Sequence, residues 1–289
     1  MEGDAPLTAE DLRITDDRYG HAPAMLQCSD CGFIQSGSLP EVPLEDLYAA
    51  LDDPEYAGGR RYRMKQMDVL LKGFLDHVAA ANGRKFRLLD VGAGAGFLVE
   101  AARRRGVDAI GVEPSEALTR DARAHDLPVF QGTLPHVEAP AGDFDIVTCV
   151  DVIEHVTDPV SLLRSMARCL QPDGLMIVTS PDVESLVAST LGRRWWHYRA
   201  AHVCFLPTSA MHLALAEAGL RPESRSRQTW WFSLPYLASR AAGLLAGRRV
   251  SDLVDRLLRG SVAESVTLPL NTFDSWVWRV RKGEGQSRG

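Results

Sequence analysis

The stretch LLDVGAGAGFL at residues 88–98 joins an apolar strand pattern to a helix pattern through three glycines, Gly92, Gly94 and Gly96. Glycine adopts positive φ freely and lets a ligand approach the backbone, so a strand, a glycine turn and a helix in this order predict a nucleotide-binding turn. The dinucleotide fingerprint G-x-G-x-x-G would need its third glycine at position 97, where this chain has Phe97. The G-x-G-x-G spacing therefore argues against a nicotinamide-dependent oxidoreductase.

Short β-type runs alternate with helix patterns along the middle of the chain. The runs lie at residues 86–92, 108–114, 127–132, 144–150 and 174–181, and two later ones lie at 221–227 and 270–282. Alternation of this kind predicts an α/β fold, in which a parallel sheet is covered by helices. The patterns LEDLYAAL and RMKQMDVLLKGFLDHVAAA before the first run predict a helical cap over residues 44–84.

The motifs along these runs resemble those of class I S-adenosylmethionine-dependent methyltransferases. An acid, Asp90, precedes the first glycine by two residues, and the segments GVEPS, VFQGT, FDIVTCVDVIEHVTDP and LLRSMARCLQPDGLMIVTSP follow in the family's order. The matching part covers roughly residues 85–181, about a third of the chain. The resemblance implies a Rossmann-like fold with a mostly parallel seven-stranded sheet and an antiparallel last strand, and it implies S-adenosylmethionine as cofactor.

The resemblance also assigns cofactor-binding residues. Glu113 would grip the ribose hydroxyls, Thr133 (often Asp in relatives) and Leu134 would lie beside the adenine, and Asp151 and Val152 would line the methionine part. From the cap, Tyr56 and Arg60 would contact the cofactor's carboxylate, although a solvated basic turn is the alternative interpretation. The full predicted set is Tyr56, Arg60, Asp90, Gly92, Gly94, Gly96, Phe97, Glu113, Pro114, Gly132, Thr133, Leu134, Asp151 and Val152.

The chemistry needs chiefly an aligned nucleophile, because S-adenosylmethionine carries its own activated methyl group. A hydroxyl acceptor must also lose its proton, and a histidine can accept it at neutral pH. His155 and His202 are the predicted bases, since both follow strands whose ends should face the ligand cleft. Purely structural histidines are the alternative, and His197, Tyr198 and Arg199 are further candidates on the same segment. No metal is predicted.

The first 43 residues contain Cys28 and Cys31 in a CxxCG pattern, which is half of a zinc knuckle. Structural zinc takes four ligands, and only His21 lies nearby as a substitute for the missing pair. The pattern resembles the cysteine-rich N-terminal piece of some sugar methyltransferases. We expect a degenerate knuckle with reduced thiols, with a bound zinc as the alternative. Cys149, Cys169 and Cys204 are expected to be buried.

The remaining boundaries follow from composition. The predicted core spans 85–229 and 270–282, a helical insertion spans 230–269, and the tail 283–289 is expected to be disordered. Leucine-rich helix patterns with arginines in the insertion allow three interpretations, namely a substrate lid, a homodimer surface or an interfacial helix touching a membrane.

Composition excludes several classes of function. The net charge of −6 argues against a nucleic-acid substrate, and no window is apolar enough for a spanning helix or a signal peptide, so a cytoplasmic location is expected. The sequence predicts transfer of a methyl group to a small molecule, most simply to a hydroxyl oxygen of a sugar, polyketide or other specialised metabolite. Methylation of nitrogen or carbon, and cofactor binding without turnover, are the alternatives.

Overall fold

The computed structural model describes residues 8–13, 23–39, 42–54, 56, 59–78, 86–227, 229–246, 248–258, 261, 263 and 266–283. The strands in this part of the chain are β1 (Met25–Gln27), β2 (Ile34–Ser36), β3 (Arg87–Val91), β4 (Asp108–Glu113), β5 (Val129–Gln131), β6 (Phe144–Cys149), β7 (Leu170–Pro181), β8 (Cys204–Phe205), β9 (Leu220–Arg227), β10 (Trp230–Ser233), β11 (Thr267–Leu270) and β12 (Ser275–Lys282).

Seven of these strands form one sheet in the order β5-β4-β3-β6-β7-β12-β9. The pairs among β5, β4, β3, β6 and β7 are parallel, whereas β12 lies antiparallel to both β7 and β9. This arrangement confirms the predicted Rossmann-like class I methyltransferase fold, including its antiparallel last strand. The order of strands reverses at β3, which is where open α/β sheets place their ligand crevice.

Helices cover both faces of the sheet. They are α1 (Leu44–Ala49), α2 (Arg60–Val78), α3 (Phe97–Arg103), α4 (Glu116–Ala124), α5 (Pro159–Cys169), α6 (Leu186–Leu191), α7 (Thr208–Glu217), α8 (Leu234–Ala246) and α9 (Arg248–Leu258). Successive strand residues point to opposite faces, so Leu88 packs in one hydrophobic cluster with Phe74 of α2, while Leu89 packs in another with Met166 of α5. The core thus consists of two layers, one on each side of the sheet.

The insertion contains two strands in addition to two helices. Its helices α8 and α9 are flanked by an antiparallel pair, in which Trp230 of β10 lies opposite Leu270 of β11. The ammonium of Lys65 on α2 lies 3.7 Å from the centre of the Trp231 ring, and this contact ties the insertion to the helical cap.

The knuckle segment forms a hairpin that joins the core. Strands β1 and β2 pair with each other, and Gln35 of β2 pairs with Cys204 of β8. Cys28 is exposed, Cys31 is half-buried, and the other three cysteines are buried as predicted. His21 and residues 284–289 lie outside the described residues. Nowhere in the described ranges is a helix both long and apolar enough to traverse a bilayer.

Candidate active site

A cavity of about 1980 Å³ opens at the carboxyl ends of the parallel strands. Strand β3 leads into the glycine turn at Gly92, β4 ends at Glu113, and β6 leads into Asp151, and these three residues line the same cavity. The cap contributes Tyr48 and Tyr56 from the other side. Ligand sites usually measure about 300–1,000 Å³, so this cavity can take two ligands side by side.

The glycine turn and Glu113 form one hydrogen-bonded unit. The amide of Gly94 donates to Oε2 of Glu113 and the amide of Ser115 donates to Oε1, both at 2.8 Å. Gly94 has a φ of +54°, and a Cβ placed there would lie 2.8 Å from the hydroxyl of Tyr56. Burial raises the pKa of Glu113, while these amide hydrogen bonds oppose that shift. Each oxygen keeps a lone pair with which it can accept a further hydrogen bond from a ligand hydroxyl.

Gly92 and Asp90 have different structural roles at the glycine turn. A Cβ on Gly92 would lie 2.4 Å from a methyl carbon of Val152, so the missing side chain lets the turn after β6 pack against the turn after β3. Asp90 is buried beneath the turn and accepts a 2.7 Å hydrogen bond from the hydroxyl of Thr148. Burial raises the pKa of Asp90 to about 7.

Gly96 lies apart from the rest of the predicted cofactor-binding set. It does not line the cavity, and a Cβ there would lie 2.8 Å from Leu127 and 3.2 Å from Val129. The missing side chain of Gly96 therefore lets the turn pack closely on Val129 of β5 and on Leu127 just before that strand, rather than contact a ligand. The other predicted residues of this end, namely Phe97, Pro114, Gly132, Thr133 and Leu134, do line the cavity.

Arg60, also a predicted cofactor contact, is held by two carboxylates. Its guanidinium contacts Glu100 at 2.5 Å and Asp121 at 3.9 Å, and it does not line the cavity. Arg63, one turn later on α2, lies in the cavity wall instead, with its guanidinium 4.0 Å from the centre of the Tyr56 ring. Its Nε is buried without a hydrogen-bond partner. The sequence signal was present, since the stretch RRYR carries both arginines, but helical register was needed to choose between them.

Asp151 lies opposite Arg63, in the left-handed region with a φ of +54°. The Thr179 hydroxyl donates to its carboxylate at 2.8 Å. The side chain of Asp151 is open to the cavity, but loss of bulk water there raises its pKa to about 6. The hydrogen bond from Thr179 and the charge of Arg63 act in the opposite direction and lower this pKa. The arrangement can hold a ligand's ammonium group at Asp151 and its carboxylate at Arg63.

The two predicted bases are neighbours. The rings of His155 and His202 lie 4.7 Å apart in an edge-to-face arrangement, and both line the cavity. Nδ1 of His155 lies 2.8 Å from the carbonyl oxygen of Ala201 and 2.6 Å from the hydroxyl of Tyr48. Because a carbonyl can only accept, Nδ1 carries the proton, and Nε2 of His155 keeps its lone pair.

His202 also has a free nitrogen. Its ring donates to the backbone carbonyl of His197, and its buried Nδ1 has no hydrogen-bond partner. Burial lowers the pKa of His155 to about 3 and holds that of His202 well below its usual value, with Arg199 adding to both effects. Both imidazoles are therefore neutral at physiological pH, and each keeps a lone pair that can accept a hydrogen bond from a ligand hydroxyl.

Glu154 was not singled out from the sequence, although it precedes His155 in the DVIEH motif. It is buried, its Oε2 has no hydrogen-bond partner, and burial raises its pKa well above the usual range. Glu154, His155 and His202 each offer one ligand atom, and these atoms lie within 4.8 Å of one another. Two imidazole nitrogens and a carboxylate oxygen suit a divalent transition metal.

Asp274, from a distant segment of the chain, contacts residues beside the histidine pair, and no sequence pattern pointed to it. The indole of buried Trp195 donates to Asp274 at 2.8 Å, and Nε2 of His197 lies 3.7 Å from the same carboxylate. Burial lowers the pKa of His197 to about 4, although Asp274 opposes the shift. Of the further candidates, His197 and Arg199 line the cavity, while Tyr198 packs on Phe205 and does not.

The insertion roofs the cavity. Trp230, Trp231 and Phe232 of β10 and Tyr236 of α8 line it, and the rings of Phe232 and Tyr236 stack with centroids 5.3 Å apart. These side chains give this part of the cavity an aromatic wall.

Comparison with known proteins places this site. A family model described as a methyltransferase domain matches residues 62–225, more than half of the chain. Two curated relatives are named ubiquinone biosynthesis O-methyltransferase. One, from Hahella chejuensis, is 37% identical over 116 residues, covering 38% of this chain and 48% of that protein. The other, from Acinetobacter baylyi, is 33% identical over 120 residues, covering 38% and 50%. The chain thus matches about half the length of these relatives.

Solved structures agree on the fold. A SAM-dependent methyltransferase from Archaeoglobus fulgidus superposes with a TM-score of 0.51 at 16% identity, covering 80% of this chain and all of that one. The PH0226 protein from Pyrococcus horikoshii also gives 0.51, at 15% identity, covering 81% and 94%. At such low identity the likeness concerns the fold alone.

Proposed function

Because the chain belongs to the methyltransferase-domain family, with S-adenosylmethionine as its cofactor, we propose that it transfers the cofactor's methyl group to a hydroxyl oxygen of a small molecule. The observation that carries the proposal is the pair of neutral histidines, half-buried His155 and buried His202, in the same cavity as the glycine turn and Glu113.

The residues present fit the cofactor. Both oxygens of Glu113 are fixed by backbone amides and can accept the two ribose hydroxyls, and Gly94 leaves room that a Cβ would fill. Arg63, with its unpartnered buried Nε, would hold the carboxylate, and Asp151 would hold the ammonium. Thr133 and Leu134 would flank the adenine, as the resemblance implied.

The methyl group, when the cofactor is bound, is already activated on a positively charged sulfur. The chain's own part is to align the acceptor and remove its proton. Nδ1 of His202 takes the hydroxyl proton in this proposal, while its other nitrogen stays bonded to the His197 carbonyl. Nε2 of His155 is the second possible acceptor. The aromatic wall of the insertion excludes water around the reacting atoms.

The acceptor class follows from the shape and chemistry of the wall. Trp230, Trp231 and Tyr236 offer flat apolar faces, which suit a hydroxylated ring of a polyketide, sugar or other specialised metabolite. The names of the two relatives concern ubiquinone biosynthesis, so a hydroxylated aromatic ring is the acceptor to test first.

A divalent metal is a second candidate for activating the acceptor, against the metal-free expectation. The observation that favours it is the grouping of Glu154, His155 and His202 with two unpartnered buried atoms. A cation held there would act by lowering the pKa of a bound hydroxyl. Dialysis against a chelator, followed by elemental analysis and a transfer assay, distinguishes activation of the acceptor by a metal from proton removal by a histidine. Activity lost on dialysis and restored by Zn²⁺ or Mn²⁺, but absent in Glu154→Gln, would establish the metal route.

The test of the proposed function is transfer of a labelled methyl group. The protein is incubated with S-adenosylmethionine carrying a radioactive methyl group and a panel of hydroxylated aromatic, polyketide and sugar acceptors, and products are identified by mass spectrometry. We expect labelled ethers with the native chain and none with Glu113→Ala. Labelled amines or carbon-methylated products would show that the acceptor atom is nitrogen or carbon rather than oxygen. Cofactor binding with no labelled product from any acceptor or cell extract would indicate a protein without turnover.

A further inference from the structure

Cys28 and Cys31 lie at the two ends of the tight turn that joins β1 to β2. The amide of Cys28 donates to the carbonyl of Phe33 at 2.8 Å, and the amide of Gly32 donates to the carbonyl of Cys28 at 3.0 Å. Four residues in a turn keep their first and last Cα atoms within about 7 Å, and disulfides bridge Cα atoms about 4.4–6.8 Å apart. The backbone thus holds these two cysteines within reach of a disulfide bond.

The sulfur of Cys28 accepts hydrogen bonds from its own turn. The donors are the backbone amides of Cys31 and Asp30 and the thiol of Cys31, and together they lower the pKa of Cys28. Desolvation and the charge of Asp30 oppose this shift. Because the thiol of Cys31 donates directly to Cys28, the two sulfur atoms are in contact. The thiolate is the nucleophilic form of cysteine, so the turn favours the reactive state of Cys28.

The five cysteines of the chain differ in access to solvent. Cys28 is exposed, and Cys31 is half-buried against the hydrophobic core. An external reagent therefore reaches Cys28 first, with Cys31 beside it as the second thiol. Cys149, Cys169 and Cys204 are buried, and burial raises the pKa of each. Access and a stabilised thiolate therefore occur together in the hairpin and not in the three core cysteines.

The turn is fixed to the rest of the fold. The hydroxyl of Ser209 on α7 donates to the carbonyl of Cys31 at 2.7 Å, and Gln35 of β2 pairs with Cys204 of β8. The two sulfurs are therefore held together by the folded chain. Their encounter needs no rearrangement of the backbone, which favours a reaction between them.

The ligand set around the pair favours thiol chemistry over structural zinc. Zinc in such sites takes four ligands. Among the residues that the structure describes, no histidine, cysteine, aspartate or glutamate joins the two sulfurs to make a group of three possible ligands. Exchange with a disulfide needs only the two thiols and an external partner. The observed arrangement is complete for that reaction.

We propose that Cys28 and Cys31 form a redox-active dithiol that exchanges with low-molecular-weight disulfides of the glutathione type. The Cys28 thiolate attacks one sulfur of the external disulfide, whose S–S bond breaks to release one glutathione thiolate. The Cys31 sulfur then attacks Cys28 in this mixed disulfide, releases the second glutathione and closes the Cys28–Cys31 bond. The dithiol loses two electrons, and its two protons end on the two glutathione thiols. Neither cysteine lines the cavity, so the inference does not depend on methyl transfer.

Mass spectrometry after exposure to glutathione disulfide tests the proposal. The native chain is reduced, freed of reductant, mixed with glutathione disulfide at neutral pH, quenched with acid, and measured intact and as peptides. We expect a Cys28–Cys31 disulfide, which leaves the chain two hydrogen atoms lighter. Cys31→Ser should stop with one glutathione on Cys28. Cys28→Ser should react at Cys31 more slowly by about tenfold or more, because the exposed, stabilised thiolate is gone.

Two controls accompany these variants. Ser29→Ala changes the same turn without touching either thiol and should react like the native chain, and Cys149, Cys169 and Cys204 should stay unmodified, which verifies that each variant is folded. Any of four results would overturn the proposal. They are no exchange in the native chain, equal rates for Cys28→Ser and Cys31→Ser, a native mixed disulfide that never closes, and one zinc per chain that blocks exchange until a chelator removes it.

Discussion

Burial shifts the pKa values of residues at the two ends of the cavity in opposite directions. At the cofactor end, burial raises the pKa of Asp90 to about 7 and raises that of Glu113, whereas at the acceptor end it lowers the pKa of His155 to about 3 and that of His197 to about 4. The cause is the same, since loss of water disfavours the charged form of acids and bases alike. One cavity thus supplies hydrogen-bonding carboxyl groups at one end and uncharged imidazoles at the other.

The two ends also differ in how the chain builds them. The cofactor end comes from a single turn and three neighbouring strand ends, so a short motif specifies most of it. The acceptor end gathers Tyr48, Glu154, His202 and Asp274, which are distant in sequence and meet only in the fold. Mutations at the two ends should therefore separate cofactor affinity from the rate of transfer.

The largest effect is expected at the acceptor end. His155→Gln/His202→Gln should slow single-turnover transfer to a hydroxyl acceptor by roughly 10²- to 10⁴-fold, because both proposed bases are lost. Affinity for S-adenosylmethionine should stay nearly native. His212→Gln is the control, since His212 is exposed on α7. The native rate should not fall between pH 9 and pH 6, because the bases have lowered pKa values. Near-native rates in the double variant would refute general-base catalysis by this pair.

The next effect concerns stability at the cofactor end. Asp90 has a folded-state pKa near 7 and an unfolded value of 3.8, so the folded state binds its proton more tightly and loses stability as pH rises through that window. Relative to Asp90→Asn, the native chain should lose about 2–4 kcal/mol of unfolding free energy between pH 4 and pH 8. Urea unfolding at several pH values measures this difference. Asp173→Asn, at an exposed position, should show no such change, and a flat difference for Asp90→Asn would contradict the assigned shift.

A third effect is expected in cofactor affinity. Gly94→Val should weaken S-adenosylmethionine binding roughly 100-fold, because the φ of +54° is strained for any side chain and the added carbon meets Tyr56. Gly106→Val is the matched control. Gly106 has a φ of +80° with no atom within 4 Å of an added Cβ, so it shares the backbone strain without obstructing the cavity. If calorimetry gives equal S-adenosylmethionine affinities for Gly94→Val and Gly106→Val, the glycine turn does not bind the cofactor.

Local sequence patterns predicted the fold, and they predicted that the glycine turn and neighbouring strand ends meet in one cavity, for a physical reason. The glycine turn and the strand ends at Glu113 and Asp151 depend on neighbours in sequence, and parallel strands bring their ends to one edge. The pairing of β10 with β11 was not predicted, because its partners lie more than thirty residues apart and the helix patterns between them dominate. Sequence analysis did not single out Glu154 and Asp274 as site residues. What distinguishes these two acids is their burial in the fold, which their residue type does not indicate.

The choice between Arg60 and Arg63 gives the smallest predicted effect and the sharpest comparison within one helix. Sequence favoured Arg60, but Glu100 and Asp121 hold its charge outside the cavity, whereas Arg63 lies in the cavity wall on the Tyr56 ring. Removing a charged hydrogen bond costs about 1.5–3 kcal/mol, so Arg63→Gln should weaken S-adenosylmethionine binding by about tenfold or somewhat more. Arg60→Gln should leave that affinity within about twofold and lower only the unfolding free energy, because its partners are structural. Calorimetry on both variants decides the matter. The reverse order of affinities would restore Arg60 as the cofactor contact, and would mean that the cap rearranges when the cofactor binds.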